Sequence, residues 1–174
     1  MQQQTETAEI PLTKGKVALV DATDLPLLSG NKWCAIVIDG NTYAYSARSY
    51  MHRLIMGAED GQKVDHRNGD GLDNRRGNLR LATKAQNSMN SRPQQGRRYK
   101  GVSWHKKGQK WRASIMLDGK AIHLGLFVSE EEAARAYDSM AAEMFGDFAR
   151  LNFPETAQQL GVENDHSAAA AART

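Results

Sequence analysis

Apolar positions in the first half of the chain fall in short runs separated by turn sequences. KVALVD (16–21) predicts a strand, and WCAIVIDGNTYAYSA (33–47) predicts two strands joined by the Asp-Gly pair at 39–40, which favours a tight hairpin turn. YMHRLIMG (50–57) predicts a short helix that ends at its glycine. Residues 1–9 are polar and predict a flexible N-terminus. The first half therefore predicts a small β platform.

The second half contains three strand-like runs, 99–105, 110–117 and 120–127, followed by apolar residues at helical spacing. Ser129 and Glu132 form a capping box at the start of the predicted helix. This pattern predicts a three-stranded antiparallel sheet packed on one helix.

The segment SRPQQGRR (91–98) lacks apolar positions and is typical of a linker, so we expect the chain to divide near residue 95. The predicted fold class is α+β. The predicted organisation is a flexible N-terminus (1–9), a first domain (10–92), a linker (93–98), a second domain (99–154) and a flexible tail (155–174).

Composition excludes several classes of protein. Cys34 is the only cysteine among 174 residues, which excludes an internal disulfide and a cysteine-based zinc ribbon. No run approaches the ~20 apolar residues of a membrane span, and the N-terminus lacks the pattern of a signal peptide. We expect a protein without a membrane partner that remains in the cytoplasm of the cell that makes it.

Charge is distributed unevenly along the chain. Residues 63–128 carry 15 Lys/Arg and 4 Asp/Glu, whereas residues 1–62 and 129–174 are both net acidic. This concentration of positive charge is costly unless a polyanion neutralises it, and nucleic acid is the usual one. A solvated basic surface is the alternative interpretation.

The candidate chemistry lies in VDHRNGDGLDNRRGNLRLATKAQN (64–87). This segment predicts a strand, a polar loop, a second strand at 79–83 and a helix whose start is fixed by a capping box of Thr83 and Gln86. That order of elements would bring Asn87 back over the first strand.

Asp65 and Asn87 could then share one divalent cation, while His66 points to the opposite side of its strand. An EF-hand-like calcium loop is excluded because Arg67 and Arg76 occupy two of its ligand positions. The Asn, Asp and Gly residues of the loop fit turn formation better than metal binding.

Other polar residues near this segment leave alternatives open. His52 lies among apolar residues of a predicted helix and fits a structural histidine better than a further ligand. Arg75, Arg76 and Arg80 flank the loop and either contact phosphate oxygens or remain solvated charges.

The elements DHRNGD, DNRRGNLR and TKAQN resemble the HNH endonucleases of phages and mobile introns, whose ββα-metal finger has this layout. The resemblance covers residues 50–90. It implies that His66 is the general base, that Asp65 and Asn87 bind the metal, and that Asn78 braces the loop. The third letter of the motif is Asn87 here instead of His, a variation that the family accommodates.

Phosphodiester hydrolysis suits these residue types. Neutral imidazole, with an unperturbed pKa of about 6.5, is able to deprotonate water near neutral pH, and a divalent cation neutralises charge on the phosphate. A carboxylate with an amide oxygen favours one Mg²⁺ or Mn²⁺ ion over zinc. No small-molecule cofactor is expected.

Residues 98–154 resemble the plant ethylene-response-factor DNA-binding domain, also called the Apetala-type domain. The matching pieces are YKGVSWH, KWRASI, HLGLF, SEEEAARAYD and ARLNFP. The resemblance implies that the three-stranded sheet lies in the major groove of double-stranded DNA with the helix packed behind it. Its sequence preference does not transfer, because several arginines of the plant domain are replaced here.

Strand alternation divides the same sheet into two faces. Trp111, Ala113, Ile115 and Leu117 are predicted to face inward, as are Ile122 and Leu124. Trp104 and Trp111 fit core packing better than base stacking. The predicted DNA-contacting residues are Lys100, Ser103, His105, Lys107, Lys110, Arg112, Ser114, Met116 and His123, together with Arg97 and Arg98 from the linker.

The sequence therefore predicts a two-domain, metal-dependent DNA endonuclease of the phage or mobile-element (homing) type. The alternative is a non-catalytic, sequence-specific DNA-binding regulator. An RNA-binding protein would need stacking aromatics on the outward face, where the pattern predicts almost none. Whether the protein nicks or cuts both strands, as a monomer or a dimer, stays open.

Overall fold

The computed structural model describes residues 6–47 and 49–155. The chain divides into two compact units between Asn87 and Ser88. Both units combine helices with small antiparallel sheets, which confirms the α+β fold class. Apart from Glu155, the predicted tail at 155–174 lies outside the described residues. Within the described ranges, no helix is both long and apolar enough to cross a bilayer.

The described part of the first unit contains three two-stranded antiparallel sheets and three short helices, the last of which continues past Asn87. In chain order these elements are β1 (Thr7–Pro11), β2 (Val17–Asp21), α1 (Leu25–Leu28), β3 (Cys34–Ile38), β4 (Asn41–Tyr45), α2 (Met51–Met56), β5 (Lys63–His66), β6 (Leu79–Ala82) and α3 (Lys84–Met89).

Strand β1 corrects the prediction that residues 1–9 are flexible. Residues 7–9 belong to β1, which pairs with β2 so that Thr7 lies opposite Asp21. Ala8 and Ile10 alternate with polar neighbours and pack against the buried core. The alternation is too short and too weakly apolar to stand out in the sequence, and the pairing with β2 stabilises it.

The predicted hairpin and short helix of this unit are both confirmed. Asp39 and Gly40 adopt φ angles of 49° and 77°, the left-handed pair that a tight β3–β4 turn requires. Helix α2 ends at Gly57, whose φ of 59° again suits a residue without a side chain. The shared core consists of Leu12, Ala18, Val20, Leu28, Trp33, Ala35, Ala44, Met51, Ile55 and Leu79.

The loop between β5 and β6 is anchored on β2. Leu19 of β2 donates its N–H to the Leu72 carbonyl oxygen at 2.9 Å and accepts from the Asn74 N–H at 2.7 Å. The Arg76 guanidinium lies 2.6 Å from the Asp24 carboxylate, and the Arg76 N–H donates to Asp21. The loop is therefore held by the strand that precedes it by some fifty residues.

Close packing on β4 explains one glycine of this loop. A Cβ atom at Gly71 would overlap the carbonyl oxygen of Thr42 and the ring of Tyr43. Any larger residue would force the loop away from β4.

The second unit is a three-stranded antiparallel sheet, ordered β7-β8-β9, with helix α4 packed on one face. Asp118 and Gly119, with φ angles of 48° and 77°, form the predicted turn between β8 and β9. Ser129 and Glu132 form the predicted capping box. The elements are β7 (Val102–His105), β8 (Lys110–Leu117), β9 (Lys120–Phe127) and α4 (Glu130–Phe145).

A fully buried carboxylate on α4 fastens the segment that follows the helix. Asp138 accepts hydrogen bonds from the Asn152 N–H at 2.8 Å, from Asn152 Nδ2 at 3.0 Å and from the Phe153 N–H at 2.8 Å. Asn152 in turn accepts from the Lys100 N–H at 2.7 Å. The chain beyond α4 is thereby tied to the segment before β7.

Replacement of Asp138 by alanine should destabilise the second unit by about 3 kcal/mol, because it leaves several buried donors without acceptors at about 1–3 kcal/mol each. Urea unfolding followed by tryptophan fluorescence measures the change. Ser139→Ala, at an exposed position of the same helix, is the matched control and should change stability by less than about 0.5 kcal/mol. Equal effects of the two variants would contradict this role of Asp138.

The same carboxylate predicts a pH dependence. Burial raises the pKa of Asp138 to about 6, although hydrogen bonds from Asn152 and Phe153 act in the opposite direction. Because the folded-state pKa lies above the unfolded value, this group's contribution to stability falls as the pH rises from about 4 to 6. Asp138→Asn cannot titrate, so the melting temperature of wild type relative to this variant should fall over that interval. A constant difference would refute the expectation.

Candidate active site and nucleic-acid interface

The β5–β6 hairpin places the two predicted catalytic neighbours on opposite faces of one strand. Asp65 lies opposite Arg80 and His66 lies opposite Leu79 in an antiparallel register. Successive residues of a strand point to opposite faces, so the carboxylate and the imidazole are separated by the strand itself. Both side chains are buried, with Asp65 5% and His66 6% exposed.

His66 occupies an aromatic and polar enclosure. Its Nε2 lies 3.3 Å from Oδ1 of Asn74, and its ring centroid lies 5.0 Å from that of His52 and 5.9 Å from that of Tyr43. Burial lowers the pKa of His66, while the hydrogen bond with Asn74 and the charge of Asp65 act to raise it. The imidazole is therefore neutral near pH 7 and able to accept a proton.

Asn78 closes the loop between the two strands. Its Nδ2 donates to the Asp73 carbonyl oxygen at 2.7 Å, and its Oδ1 accepts from the Asn68 N–H at 3.0 Å. Its backbone carbonyl accepts from the Arg67 N–H at 2.8 Å. These contacts place Asn78 where a bracing residue would act.

Asp65 forms a buried ion pair with Arg80. Oδ2 of Asp65 accepts from Nε of Arg80 at 2.8 Å, and Nη2 of Arg80 lies 2.6 Å from the same oxygen. Arg80 is 7% exposed. The sequence left Arg80 as either a phosphate contact or a solvated charge, but the structure buries its side chain against the Asp65 carboxylate, so neither interpretation fits it.

The two predicted metal ligands, Asp65 and Asn87, differ in their exposure to solvent. Asn87 is exposed on α3, whose start is the predicted capping box: Gln86 N–H donates to Thr83 Oγ1 at 3.1 Å, and Thr83 N–H donates to Gln86 Oε1 at 2.8 Å. Asp65 is buried on β5. Within the described ranges, no group of three or more His, Cys, Asp or Glu side chains is arranged to hold a metal. A carboxylate and an amide are hard oxygen donors, a set that fits Mg²⁺ or Mn²⁺.

The sequence offers little indication that two residues, His52 and Asn74, lie against His66. His52 is buried beside His66, and no described group forms a hydrogen bond with its Nδ1. Burial lowers the pKa of His52 to about 3, so it is neutral as well. Asn74, grouped with the loop-shaping residues by its sequence context, faces the candidate base. The hydrogen bond between Asn74 and His66 forms only when the loop folds back on itself, so the spacing of residues in the sequence does not reveal it.

The remaining arginines near the hairpin and the linker are paired within the protein. Arg75 lies 2.7 Å from Asp73, and the exposed Arg76 pairs with Asp24 as described. Arg97 donates to the Val102 carbonyl oxygen at 3.2 Å, and Arg98 lies 3.1 Å from Glu131. Unlike Arg80, all four of these arginine side chains are at least partly exposed.

The face of the second unit's sheet that lies away from α4 is polar and basic. Arg112 lies opposite Ser103 and Lys110 lies opposite His105, and Nε of Arg112 donates to Ser103 Oγ at 3.3 Å. The other predicted members of this face, His123, Ser114 and Met116, also lie on it. Lys107 is exposed in the turn between β7 and β8.

Two details of this sheet differ from the predictions. Trp104 faces Trp111 across β7 and β8 but is 48% exposed, so the prediction of core packing fails for it. Ile122 lies on the predicted inward face, opposite the buried Ile115, although it is 37% exposed. Lys100 precedes β7, and its Nζ donates to the carbonyl oxygens of Ser88 and Met89 instead of lying on the outer face.

The pairing of β8 with β9 is interrupted by a β-bulge at Ala113/Ser114. Gly125 lies opposite Ala113, and His123 lies opposite Ser114. As a result Leu126 lies opposite Arg112 on the outer face. Strict alternation along the strand does not reveal this residue.

Comparison with known proteins identifies both halves of the chain. The model of the HNH endonuclease family matches residues 49–89, and the AP2 domain model matches residues 97–147. An uncharacterized HNH endonuclease of Acanthamoeba polyphaga mimivirus is 33% identical over 152 residues, which cover 80% of this chain and 76% of the viral protein.

Relatives in plants match only the second unit. An ethylene-responsive transcription factor-like protein of Arabidopsis thaliana is 57% identical over 35 residues, or 20% of this chain, and an APETALA2-like protein of Oryza sativa subsp. indica is 47% identical over 58 residues, or 32%. The chain spans only 16% and 13% of these two plant proteins. No solved structure matches the chain. The viral relative and the two family models show that the chain belongs to the HNH endonuclease family and carries an AP2 domain.

Proposed function

We propose that the chain is a metal-dependent endonuclease that hydrolyses phosphodiester bonds in double-stranded DNA. The observation that carries this proposal is the β5–β6 hairpin, where the neutral, buried His66 follows Asp65 on β5 and Asn78 braces the loop between the two strands. A proton acceptor and a hard oxygen ligand on opposite faces of one strand suit water activation next to a bound cation.

In this mechanism the lone pair of the His66 imidazole accepts a proton from a water molecule. The water oxygen attacks phosphorus, the bond to the 3′ oxygen breaks, and the leaving oxygen takes up a proton. A divalent cation held by Asp65 and Asn87 would neutralise charge on the phosphate and on the leaving oxygen. The products are 5′-phosphate and 3′-hydroxyl ends.

Asp65 and Asn87 offer only oxygen donors, so we propose one Mg²⁺ or Mn²⁺ ion instead of zinc. Arg80 lies on the Asp65 carboxylate. A cation that binds there must share this carboxylate with the guanidinium.

The second unit would hold the duplex. Its outer sheet face carries Arg112, Lys110 and His123, and a sheet of this size fits the major groove. One finger per chain supplies one active site, so a monomer would nick one strand and a dimer would be needed to cut both. A homing role within a mobile element is part of the same proposal.

The Asp65–Arg80 ion pair favours one alternative, a non-catalytic DNA-binding regulator in which Arg80 has taken the place of a cation. The two functions differ in a plasmid assay. Nicking that requires Mg²⁺ and stops with EDTA supports the nuclease, whereas duplex binding without nicking supports the regulator.

Removal of the base should abolish cleavage but not binding. His66→Ala is expected to lower the rate of Mg²⁺-dependent nicking by about 10²–10⁴-fold, because general base catalysis contributes that much. Gel-shift affinity for the same duplex should remain at the wild-type value, and an unchanged urea-unfolding curve controls for folding. Cutting at the wild-type rate by His66→Ala would exclude this residue as the base.

The outer sheet face should account for part of the affinity. Arg112→Ala is expected to weaken duplex binding and, if the guanidinium contacts a phosphate, to reduce the slope of log affinity against log salt concentration by about 1. Arg135→Ala is the matched control, because Arg135 lies on α4 with its guanidinium over the ring of Phe153. Equal weakening by both variants would show that this face is not the DNA-binding surface.

A further inference from the structure

A buried amide in the finger loop holds the candidate base. Asn74 is 0% exposed, and its Oδ1 lies 3.3 Å from Nε2 of His66. At the other end of the amide, Nδ2 donates to the Leu72 carbonyl oxygen at 3.1 Å. The Asn74 N–H donates to Leu19 on β2 at 2.7 Å. Backbone and side chain are thus both held in place.

The chemistry of the two ends of this amide decides which nitrogen of His66 carries a proton. The Leu72 carbonyl oxygen only accepts hydrogen bonds, so the NH₂ group of Asn74 must face it. The amide oxygen therefore faces His66 and also only accepts. Nε2 of His66 must then carry the hydrogen, and in a neutral ring the lone pair lies on Nδ1.

The surroundings preserve this arrangement. The rings of Tyr43 and His52 pack against the His66 ring and oppose its rotation. A buried amide costs free energy unless both of its ends are hydrogen-bonded, and here each end has a partner. An apolar residue of similar size would fill the space without that cost but would not orient the imidazole.

We propose that Asn74 is a positioning residue that holds His66 in the Nε2–H tautomer and thereby assigns Nδ1 as the nitrogen that accepts the proton from water. The catalytic consequence rests on the proposed nuclease function. The tautomer itself is a property of the folded chain and is measurable without substrate or metal.

The direct test is ¹⁵N NMR of the full chain labelled in histidine, at a pH where His66 is neutral, with its signals assigned by their loss in His66→Ala. Wild type should show Nε2 protonated and Nδ1 unprotonated. Asn74→Ala removes the acceptor and should shift His66 toward the other tautomer. Asn74→Asp retains an acceptor oxygen and should keep the wild-type pattern.

Asn68→Ala is the matched control, since Asn68 lies in the same loop but its side chain bonds to Asp70 and Asp73 and not to His66. It should leave the His66 tautomer unchanged. In nicking assays, Asn74→Ala should lower kcat by about 10–100-fold, the usual effect of losing an orienting partner, with little change in KM. Asn74→Asp should recover part of that loss.

A proton on Nδ1 of His66 in the wild type would overturn the proposal, as would an unchanged tautomer in Asn74→Ala. If Asn74→Ala does not fold, the wild-type and Asn74→Asp spectra decide, because both must show the proton on Nε2. The expected tautomers together with a wild-type chain that does not cut DNA would uphold the role of Asn74 and refute the nuclease function.

Discussion

The finger depends on the attachment of its loop to β2. Leu19 exchanges backbone hydrogen bonds with Leu72 and Asn74, and Arg76 reaches Asp24 just beyond the same strand. The loop contains many Gly, Asn and Asp residues, so without this attachment its backbone would have wide conformational freedom. The N-terminal hairpin is therefore part of the scaffold of the candidate active site, because it fixes the backbone of Asn74, whose amide faces His66.

Features encoded by neighbouring residues were predictable from the sequence. The Asp-Gly turns at 39–40 and 118–119, the capping boxes at Thr83 and Ser129, and the strand–loop–strand–helix order of the finger all occur as expected. Each depends on backbone preferences or hydrogen bonds that span only a few positions. The roles of His66 and Asp65 came from the resemblance of one short motif and stay predictions.

Features that depend on distant partners were not predictable in this way. In the sequence Arg80 is not distinguishable from Arg75 and Arg76, which are exposed at least in part. Only the register of β5 with β6 places it opposite Asp65. In the sequence Asn74 resembles the other loop residues, and only the folded chain brings it into contact with His66 and Leu19. Trp104 follows the inward alternation but is 48% exposed, because strand alternation gives the direction of a side chain and not how far it is covered.

The bulge between β8 and β9 changes which residues of β9 lie on the outer face of the sheet. Steps of two from His123 would place Gly125 and Phe127 outside, whereas the structure turns both inward and exposes Leu126. A single-residue insertion or deletion near the bulge would therefore exchange the two faces of half a strand and leave the other half unchanged. Length in this part of β9 is under a stricter constraint than residue identity, and specificity can diversify by substitution far more readily than by insertion.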